Sequence, residues 1–230
     1  MIKVIKNDIN ISASVSCMDL CNLKKSMLEV EQSEVSFYHF DVVDGKFNSC
    51  FILGEPTLRS MRRETNLPVE VHLAVYEPEK FIKAYASAGA DYIAVHYEAV
   101  GDFEKIFDMI RRYGAEPVLA YKASTAPGDD FISLAGEAAW ILKLTVNPGF
   151  PGQKMQEDAA VHIEQMRRML NRAGLKTGIQ ADGNINENTI PSVVRAGADM
   201  MTGGTSGLFL KDRTVKESCS RMLCVARKYK

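Results

Sequence analysis

The sequence predicts an α/β fold in a single domain, a (β/α)8 TIM barrel, and three observations lead to this prediction. Short β-branched or apolar runs alternate with segments whose apolar residues are spaced three and four apart, the pattern of helices packed on a sheet. Glycines follow several of these helical segments just before the next apolar run, as is typical of helix C-caps. The chain of 230 residues is close to the length of a compact barrel.

Eight apolar runs are predicted to form the strands. They cover residues 9–14, 37–42, 69–73, 92–96, 116–121, 140–146, 177–181 and 200–203. The helices lie between them, as the spacing of Phe81, Tyr85 and Ala88 illustrates. The predicted C-cap glycines are Gly89, Gly114, Gly174 and Gly197. The tetrapeptide AGAD precedes both the fourth and the eighth strand, so one element of the pattern repeats four units apart.

Residues 1–230 are predicted to be one domain, because no Pro/Ser-rich linker, charge block or low-complexity segment divides them. A doubly wound open sheet is the alternative. That fold normally carries the glycine fingerprint G-x-G-x-x-G after its first strand, whereas the first strand here leads into SVSCMDL. The barrel is therefore favoured.

Composition and charge exclude several classes of protein. Hydrophobic residues make up 46% of the chain and the net charge is -1, so no electrostatic feature predicts binding to nucleic acid or to an anionic membrane. The five cysteines contain no C-x-x-C pair, which argues against a disulfide framework and a structural zinc site. The segment MIKVIKNDIN is too charged for a signal peptide, and no apolar run approaches the roughly 18 residues of a membrane span. A cytoplasmic protein is expected.

Four ionisable residues fall at the carboxyl ends of predicted strands, where the chemistry of a barrel lies. They are His39, Asp41, His72 and Asp182. Because strand side chains alternate, His39 and Asp41 are predicted to face the barrel axis while Phe40 faces the helices. Two imidazoles and two carboxylates suit zinc, iron, cobalt or manganese, and the pattern does not choose among them. Hydrogen-bonded core histidines and helix N-cap aspartates are the alternative interpretation.

Two further ionisable residues lie near these positions. His96 ends the fourth predicted strand and is expected to support the site or the core rather than to act in it. Asp44, which precedes Gly45, is expected to be a turn or N-cap residue.

Three glycine-containing loops follow the sixth, seventh and eighth predicted strands. The first reads VNPGFPGQ over residues 146–153, the second contains Gly183, and the third reads GGTSG over residues 203–207. Backbone N–H groups of such loops approach anions closely, and barrels often bind phosphate through the loops after strands seven and eight. The three loops together predict a phosphate site.

The segments HFDVVDG, EVHL, VNPGFPGQ and ADGNIN, in this order and at these strand ends, resemble the ribulose-phosphate 3-epimerase family over nearly the whole chain. The segments SCMDL and GTSGLF are more similar to its allulose-6-phosphate 3-epimerase branch. The resemblance implies an isomerase of carbohydrate metabolism that inverts C3 of a pentulose or hexulose phosphate. It also implies one divalent metal ion and assembly as a homo-oligomer, a dimer or a hexamer.

The resemblance assigns roles to particular residues. It implies that Asp41 and Asp182 exchange the proton and that His39, Asp41, His72 and Asp182 bind the metal. The residues it implies to contact the substrate and its phosphate are Ser14, His72, Gly149, Phe150, Pro151, Gly152, Gly183, Asn184, Gly204, Thr205 and Ser206. The chain departs from the family at Val43, Ala74 and Leu144, where methionines commonly line the metal site, and at YKASTA over residues 121–126. These departures surround the sugar, so the identity of the substrate stays open.

Two other functions are weighed against the epimerase. A phosphate-binding lyase or decarboxylase of the orotidine-phosphate type would carry Asp-x-Lys on a strand, but Val43 stands at the lysine position; a Schiff-base aldolase would have to use Lys143 inside the sixth strand. A non-catalytic sugar-phosphate sensor on the same barrel is the third hypothesis, suggested by the altered loops. Such a protein would more often have lost Asp41 or Asp182.

Overall fold

A computed structural model describes residues 9–147 and 152–230 of the protein. Eight parallel strands form the barrel, and a ninth, short strand is antiparallel to the second. The strands are β1 (Asn10–Ser14), β2 (Phe37–Asp44), β3 (Phe51–Ile52), β4 (Val69–Ala74), β5 (Tyr92–His96), β6 (Glu116–Tyr121), β7 (Trp140–Leu144), β8 (Gly178–Asp182) and β9 (Met200–Gly203). The predicted (β/α)8 TIM barrel is confirmed.

The barrel is closed because β1 pairs with both β2 and β9. Around the barrel the order of the remaining strands is β9, β8, β7, β6, β5, β4 and β2. The register between β2 and β4 places Asp41 beside His72 and His39 beside Glu70. Functional side chains that are far apart in sequence therefore lie on neighbouring strands.

In the part of the chain that the structure describes, eight α-helices connect the strands and cover the outside of the barrel. They are α1 (Leu23–Glu31), α2 (Glu55–Arg62), α3 (Glu79–Ala88), α4 (Phe103–Arg112), α5 (Phe131–Glu137), α6 (Glu157–Ala173), α7 (Ile190–Ala196) and α8 (Val215–Tyr229). The predicted C-cap glycines Gly89, Gly174 and Gly197 follow α3, α6 and α7 in the left-handed conformation, and Gly114 lies one residue beyond the C-cap of α4 with φ 87°. No described helix has the length and apolar character needed to cross a membrane.

The interior of the barrel changes from apolar to polar along the strands. Near one end, side chains such as Phe37, Tyr92 and Trp140 form an apolar cluster, with Phe37 and Tyr92 rings 5.6 and 4.3 Å from the Trp140 ring. A larger cluster lies between the strands and the helices, where Phe40 packs against Tyr85 of α3. Phe40 thus faces the helices as predicted. Polar residues lie at the carboxyl ends, where Ser14, His96 and Asp182 are the last residues of β1, β5 and β8.

Two predictions about strands were incomplete. The strand predicted over residues 140–146 ends at Leu144, because Thr145 turns its N–H and hydroxyl toward the carbonyl of Asp182 at 2.7 and 3.1 Å. The sequence also did not predict β3, which is only two residues long and pairs with the end of β2 after the turn at Gly45. A two-residue strand carries too little periodicity to be detected.

Candidate active site and metal centre

A cavity of about 430 Å³ opens at the carboxyl ends of the strands. Its lining includes residues from the ends of β1, β2, β7, β8 and β9 and from the β3 hairpin. None of the described residues that line it is Lys or Arg. Within the described lining, an anionic ligand would meet neutral groups and backbone N–H dipoles.

The four predicted metal ligands converge at this cavity. His39, Asp41, His72 and Asp182 each offer one ligand atom, and these atoms lie within 4.8 Å of one another. Asp41 Oδ1 is central, at 3.0 Å from His39 Nε2 and 3.1 Å from His72 Nδ1. Asp182 Oδ2 is 3.6 Å from His39 Nε2. The inward orientation predicted for His39 and Asp41 is confirmed.

This donor set fits a divalent transition metal. Atoms bound to one ion at about 2.0–2.2 Å lie within about 4.4 Å of each other, so small side-chain shifts bring all four into range. Imidazole nitrogens and carboxylate oxygens are ligands for zinc, iron, cobalt and manganese alike. Both histidines are almost fully buried, whereas the two aspartates retain partial exposure to the cavity. The set therefore leaves one side of the site open to a ligand.

The two aspartates differ in their affinity for protons. Burial alone would raise the pKa of Asp41, but the charges and hydrogen bonds of His39 and His72 hold that pKa well below its usual range. Burial, opposed by the charge of His39 and aided by the charge of Asp41, raises the pKa of Asp182 to about 6. Burial opposes protonation of His39, yet the carboxylates of Asp41, Glu70 and Asp182 raise its pKa well above the ordinary value. The cluster thus pairs an ionised carboxylate with one that protonates readily.

A buried polar network supports His39 from inside the barrel. Glu70 Oε2 lies 2.7 Å from His39 Nδ1 and accepts a 2.9 Å hydrogen bond from Gln180 Nε2. Gln180 Oε1 in turn accepts from Trp140 Nε1 at 2.7 Å, and its amide nitrogen also donates to Thr202. Neither Glu70 nor Gln180 was predicted to take part in the site. The available signal was the strand period of two, which places Glu70 on the side of His72 and Gln180 on the side of Asp182.

His96 is buried behind His72 and does not line the cavity. Its Nε2 is 2.8 Å from His72 Nε2, and its Nδ1 is 3.1 Å from Glu98 Oε2. Burial lowers the pKa of His96 to about 4, and the hydrogen bond from His96 contributes to a Glu98 pKa of about 2 despite the burial of that carboxyl. The expectation that His96 supports the site matches this position. Glu98 was not predicted.

Two serines contact Asp41, one at the end of β1 and one just after it. Ser14 Oγ donates to Asp41 Oδ2 at 3.3 Å, and Ser16 Oγ donates to the same oxygen at 3.1 Å. Ser14 was predicted to contact the substrate and does line the cavity, while Ser16 was not predicted.

Asp44 accepts hydrogen bonds from the N–H groups of Lys46 and Phe47 at 2.9 and 3.0 Å, so it is a turn residue as predicted.

The predicted phosphate-binding loops meet at the same cavity. Gly152, Gly183, Asn184, Gly204, Thr205 and Ser206 all line it. Gly149, Phe150 and Pro151 lie outside the described residues. The carbonyl of Gly204 accepts from the N–H groups of Gly207, Leu208 and Phe209, which makes residues 204–209 a helical turn at the end of β9. The first N–H groups of a helical turn have no partner within it and point outward from its start.

The departures from the family pattern lie in two different environments. Val43 and Ala74 are buried against Phe47 and do not line the cavity, so they do not enlarge it directly. Leu144 lines the cavity.

Lys143, the residue that a Schiff-base aldolase would use, points away from the cavity. Its Nζ donates to the carbonyls of Lys122, Ala123 and Thr125 in the loop after β6.

These features define the class of protein. A parallel eight-stranded barrel whose strands carry, at their carboxyl ends, a His₂Asp₂ cluster able to hold a divalent ion is a barrel of the metal-dependent enzyme class. Residues 10–209 match the model of the ribulose-phosphate 3 epimerase family. The chain belongs to this family and is an isomerase, a carbohydrate-phosphate 3-epimerase.

The chain aligns with curated relatives over most of its length. It is 32% identical to the ribulose-phosphate 3-epimerase of Bacillus subtilis over 89% of its own length and 94% of that protein. It is 35% identical to the enzyme of the same name from Methanocaldococcus jannaschii, over 89% of this chain and 86% of the relative.

Solved structures share the fold at much lower identity. The 3-hexulose-6-phosphate synthase of Salmonella typhimurium is 16% identical, with a TM-score of 0.65 over 96% of this chain and 100% of the other. A tryptophan synthase α-subunit from Pyrococcus furiosus is 12% identical, with a TM-score of 0.63 over 96% of this chain and 97% of the other. These two likenesses concern the barrel alone.

Proposed function

We propose that the chain inverts C3 of a phosphorylated ketose by proton transfer between Asp41 and Asp182. The observation that carries this proposal is the presence of both carboxyl groups in one cavity, on strands separated by β1 and β9, with opposite pKa shifts. Inversion requires a base on one face of the carbon and an acid on the other, and two carboxyl groups of unequal proton affinity supply both.

A divalent metal ion is part of this proposal, held by His39, Asp41, His72 and Asp182. When bound, such an ion polarises the ketone next to C3 and stabilises the negative charge of the enediolate. Zinc, iron, cobalt and manganese are all candidates, because the donor set suits each of them.

The chain's own residues move the proton and direct it. One aspartate removes the C3 proton from one face, and the other returns a proton to the opposite face; the reverse reaction exchanges their roles. Ser14 and Ser16 hold Asp41 in place through Oδ2. His39 lies between the two carboxyl groups, 3.0 Å from Asp41 and 3.6 Å from Asp182, and limits the repulsion between them.

The phosphate is placed at the glycine-rich loops on the other side of the cavity. Gly183, Asn184 and the turn at residues 204–206 supply N–H groups, and Gly149–Gly152 are proposed to complete the site. Ser206 is held in the turn by a 3.3 Å hydrogen bond to the carbonyl of Ile185. Binding the phosphate away from C3 positions the carbon between the aspartates and so contributes to the rate.

A ribulose phosphate, tested as ribulose 5-phosphate, is the first candidate substrate, because the curated relatives are named ribulose-phosphate 3-epimerase. Allulose 6-phosphate is the second, on the resemblance of residues 16–20 and 204–209 to that branch. We further propose that the protein works in the cytoplasm as a homo-oligomer, a dimer or a hexamer, as the family does.

Exchange of the C3 proton in heavy water tests the proposed function. Chelator-treated protein is loaded separately with zinc, iron, cobalt and manganese and incubated with ribulose 5-phosphate or allulose 6-phosphate in D₂O. NMR should show deuterium at C3 together with the epimerised product for one of the sugars. The metal-free protein serves as the control and should show neither.

The outcome separates the alternatives. Binding of a sugar phosphate without C3 exchange under any metal indicates a sensor, and loss of the C3 proton with cleavage of a carbon–carbon bond indicates a lyase. Either result contradicts the proposed reaction.

A further inference from the structure

We infer that His96 and Glu98 are positioning residues that fix the tautomer of His72, so that Nδ1 of His72 faces the metal ion. The inference rests on the proposed function, because it takes His72 as a metal ligand. Nothing in the catalytic proposal itself requires either His96 or Glu98, since both lie behind His72 and outside the cavity lining.

The two nitrogens of His72 have different neighbours. Nδ1 points into the ligand cluster, 3.1 Å from Asp41 Oδ1, whereas Nε2 points away from it, 2.8 Å from His96 Nε2. A neutral imidazole carries one proton, and a metal at Nδ1 leaves that proton on Nε2. Nε2 of His72 must then donate, so Nε2 of His96 must accept.

The same reasoning extends to Glu98. If Nε2 of His96 accepts, the proton of His96 sits on Nδ1, and that nitrogen is 3.1 Å from Glu98 Oε2. A carboxylate is an acceptor only and therefore matches this arrangement. The opposite arrangement places a proton on His96 Nε2 and on His72 Nδ1, where it competes with the metal. Acting through the ring of His96, Glu98 thus selects the tautomer of His72 that binds the metal.

Both members of the pair are held firmly. Glu98 Oε1 accepts a 2.8 Å hydrogen bond from the N–H of Lys122, so the carboxylate is tied to the loop after β6. The ring of Phe47 packs against His96 with centroids 4.6 Å apart, and the ring of His72 packs against it at 5.0 Å. His96 is therefore fixed in orientation on two sides before any metal binds.

Glu98→Gln reverses the direction of the two hydrogen bonds that link residue 98 to His96 and His96 to His72. It does so without changing the shape of the side chain. The backbone N–H of Lys122 needs an acceptor, so the oxygen of the introduced amide stays there and the NH₂ group of that amide faces His96 Nδ1. His96 Nδ1 must then accept, and its Nε2 carries the proton toward His72. We expect this variant to bind cobalt or zinc at least about tenfold more weakly, the range seen when the partner of a ligating histidine is lost.

His96→Gln offers a rescue that a purely structural role does not explain. Glutamine places an oxygen acceptor near the former Nε2, and the acceptor no longer depends on residue 98. We therefore expect the double variant His96→Gln, Glu98→Gln to recover most of the metal affinity lost by Glu98→Gln. Glu104→Gln is the matched control, because Glu104 is an exposed residue of α4 and its substitution should leave the affinity unchanged.

Two measurements test the inference and neither uses the reaction. Affinities for cobalt and zinc are measured by competition with a chromophoric chelator. In the zinc-loaded wild-type enzyme, long-range ¹H–¹⁵N NMR of the four histidines reports which nitrogen of each ring is protonated. We expect a proton on Nε2 of His72 and on Nδ1 of His96.

A proton on Nε2 of His96 in the zinc-loaded wild type overturns the inference, as does wild-type metal affinity in folded Glu98→Gln. If that variant does not fold, judged by circular dichroism, the wild-type tautomers decide. A wild-type protein with the expected tautomers and tight zinc binding but no C3 exchange refutes the proposed function and leaves the positioning role intact.

Discussion

The carboxylate of Glu70 lies 2.7 Å from Nδ1 of His39, and both side chains are fully buried inside the barrel. Because a carboxylate accepts and does not donate, it holds a proton on Nδ1 and leaves Nε2 for a cation. Nε2 is the nitrogen that faces Asp41 and Asp182. His39 and His72 are thus each backed by an acidic residue, Glu70 directly and Glu98 through His96.

Replacing Glu70 by glutamine is expected to weaken metal binding about tenfold or more. The introduced amide keeps an oxygen for His39 but loses the charge, and its NH₂ group occupies the place of Oε1, which has no hydrogen-bond partner among the described residues. Competition with a chelator measures the loss. Glu116→Gln, at the start of β6, is the control. Equal affinities in the two variants would contradict the role of Glu70.

Replacing the two proposed acid/base residues should have distinguishable effects. Asp182→Asn is expected to lower C3 exchange by about 10²- to 10⁴-fold while leaving sugar-phosphate binding largely intact. Asp41→Asn should lose exchange and also weaken metal binding more than Asp182→Asn, because Asp41 contacts both histidine ligands. Asp44→Asn keeps its turn hydrogen bonds and should remain active. Exchange rates and isothermal titration test all three; full activity in either site variant would exclude the assignment.

The buried His96 contributes a loss of stability in mild acid, opposite in sign to the effect of His39, whose raised pKa favours the folded state at lower pH. The pKa of His96 falls from the ordinary 6.5 to about 4 in the folded protein, so between these values the unfolded chain binds more protons and stability decreases as the pH is lowered. This effect amounts to about 2 kcal/mol between pH 7 and pH 5. Urea unfolding of the metal-free protein at both pH values measures it. His96→Gln should show a smaller decrease, and an identical decrease in both proteins would refute this origin.

Glu98 adds an effect of the same sign at lower pH. Its pKa is held at about 2 against an ordinary 4.5, so its contribution to stability is complete above pH 4.5 and is lost as the pH falls toward 2.

Lys143 is expected to be structural. Its ammonium group donates to three carbonyls of the loop after β6, and Lys143→Met would leave those carbonyls without that donor. We expect a loss of about 3 kcal/mol in the free energy of unfolding. Lys122→Met, which removes a cation 4.1 Å from the Phe47 ring centroid, should cost less than about 1 kcal/mol. Urea denaturation of both variants compares them.

The same contacts predict that Lys143 forms no Schiff base with the substrate. Borohydride added with ribulose 5-phosphate should leave the mass of the protein unchanged. A mass increase that disappears in Lys143→Met would instead support the aldolase alternative.

Gly183 is expected to tolerate no side chain. Its φ is +119°, and an added Cβ would lie 2.5 Å from Val146 Cγ2 and 3.0 Å from the backbone nitrogen of Val146. Gly183→Ala should therefore destabilise the protein by about 1–3 kcal/mol and weaken sugar-phosphate binding. Gly101→Ala, where an added Cβ meets nothing within 4 Å, is the control. Thermal unfolding and titration with the substrate check both effects.

Much of the fold was predictable because its signals are local. The alternation of apolar runs and helical segments predicted all eight barrel strands, and Gly89, Gly114, Gly174 and Gly197 all have the positive φ expected after a helix. The period of two along β2 also predicted that His39 and Asp41 share the inner side. These features depend on neighbouring residues and on steric rules that hold for any chain.

The supporting residues were not predictable in the same way. Glu70 and Gln180 carry no motif, and their roles depend on contacts that span 31 and 110 positions of the sequence. Glu98 is only two positions from His96, but its role depends on the contact of His96 with His72, 24 positions away. Only closure of the barrel brings Gln180 of β8 to Glu70 of β4 across the interior. The unpredicted hairpin at β3 likewise depends on pairing with β2.

By itself, the sequence determined the barrel, the four candidate ligands and the glycine-rich loops, because periodicity and strand ends depend on the local order of residues. Only the tertiary structure decided which nitrogen of each histidine faces the cation and which buried acid holds it there. A tautomer depends on the atom at hydrogen-bond distance from each ring nitrogen, and in this barrel those atoms mostly come from other strands.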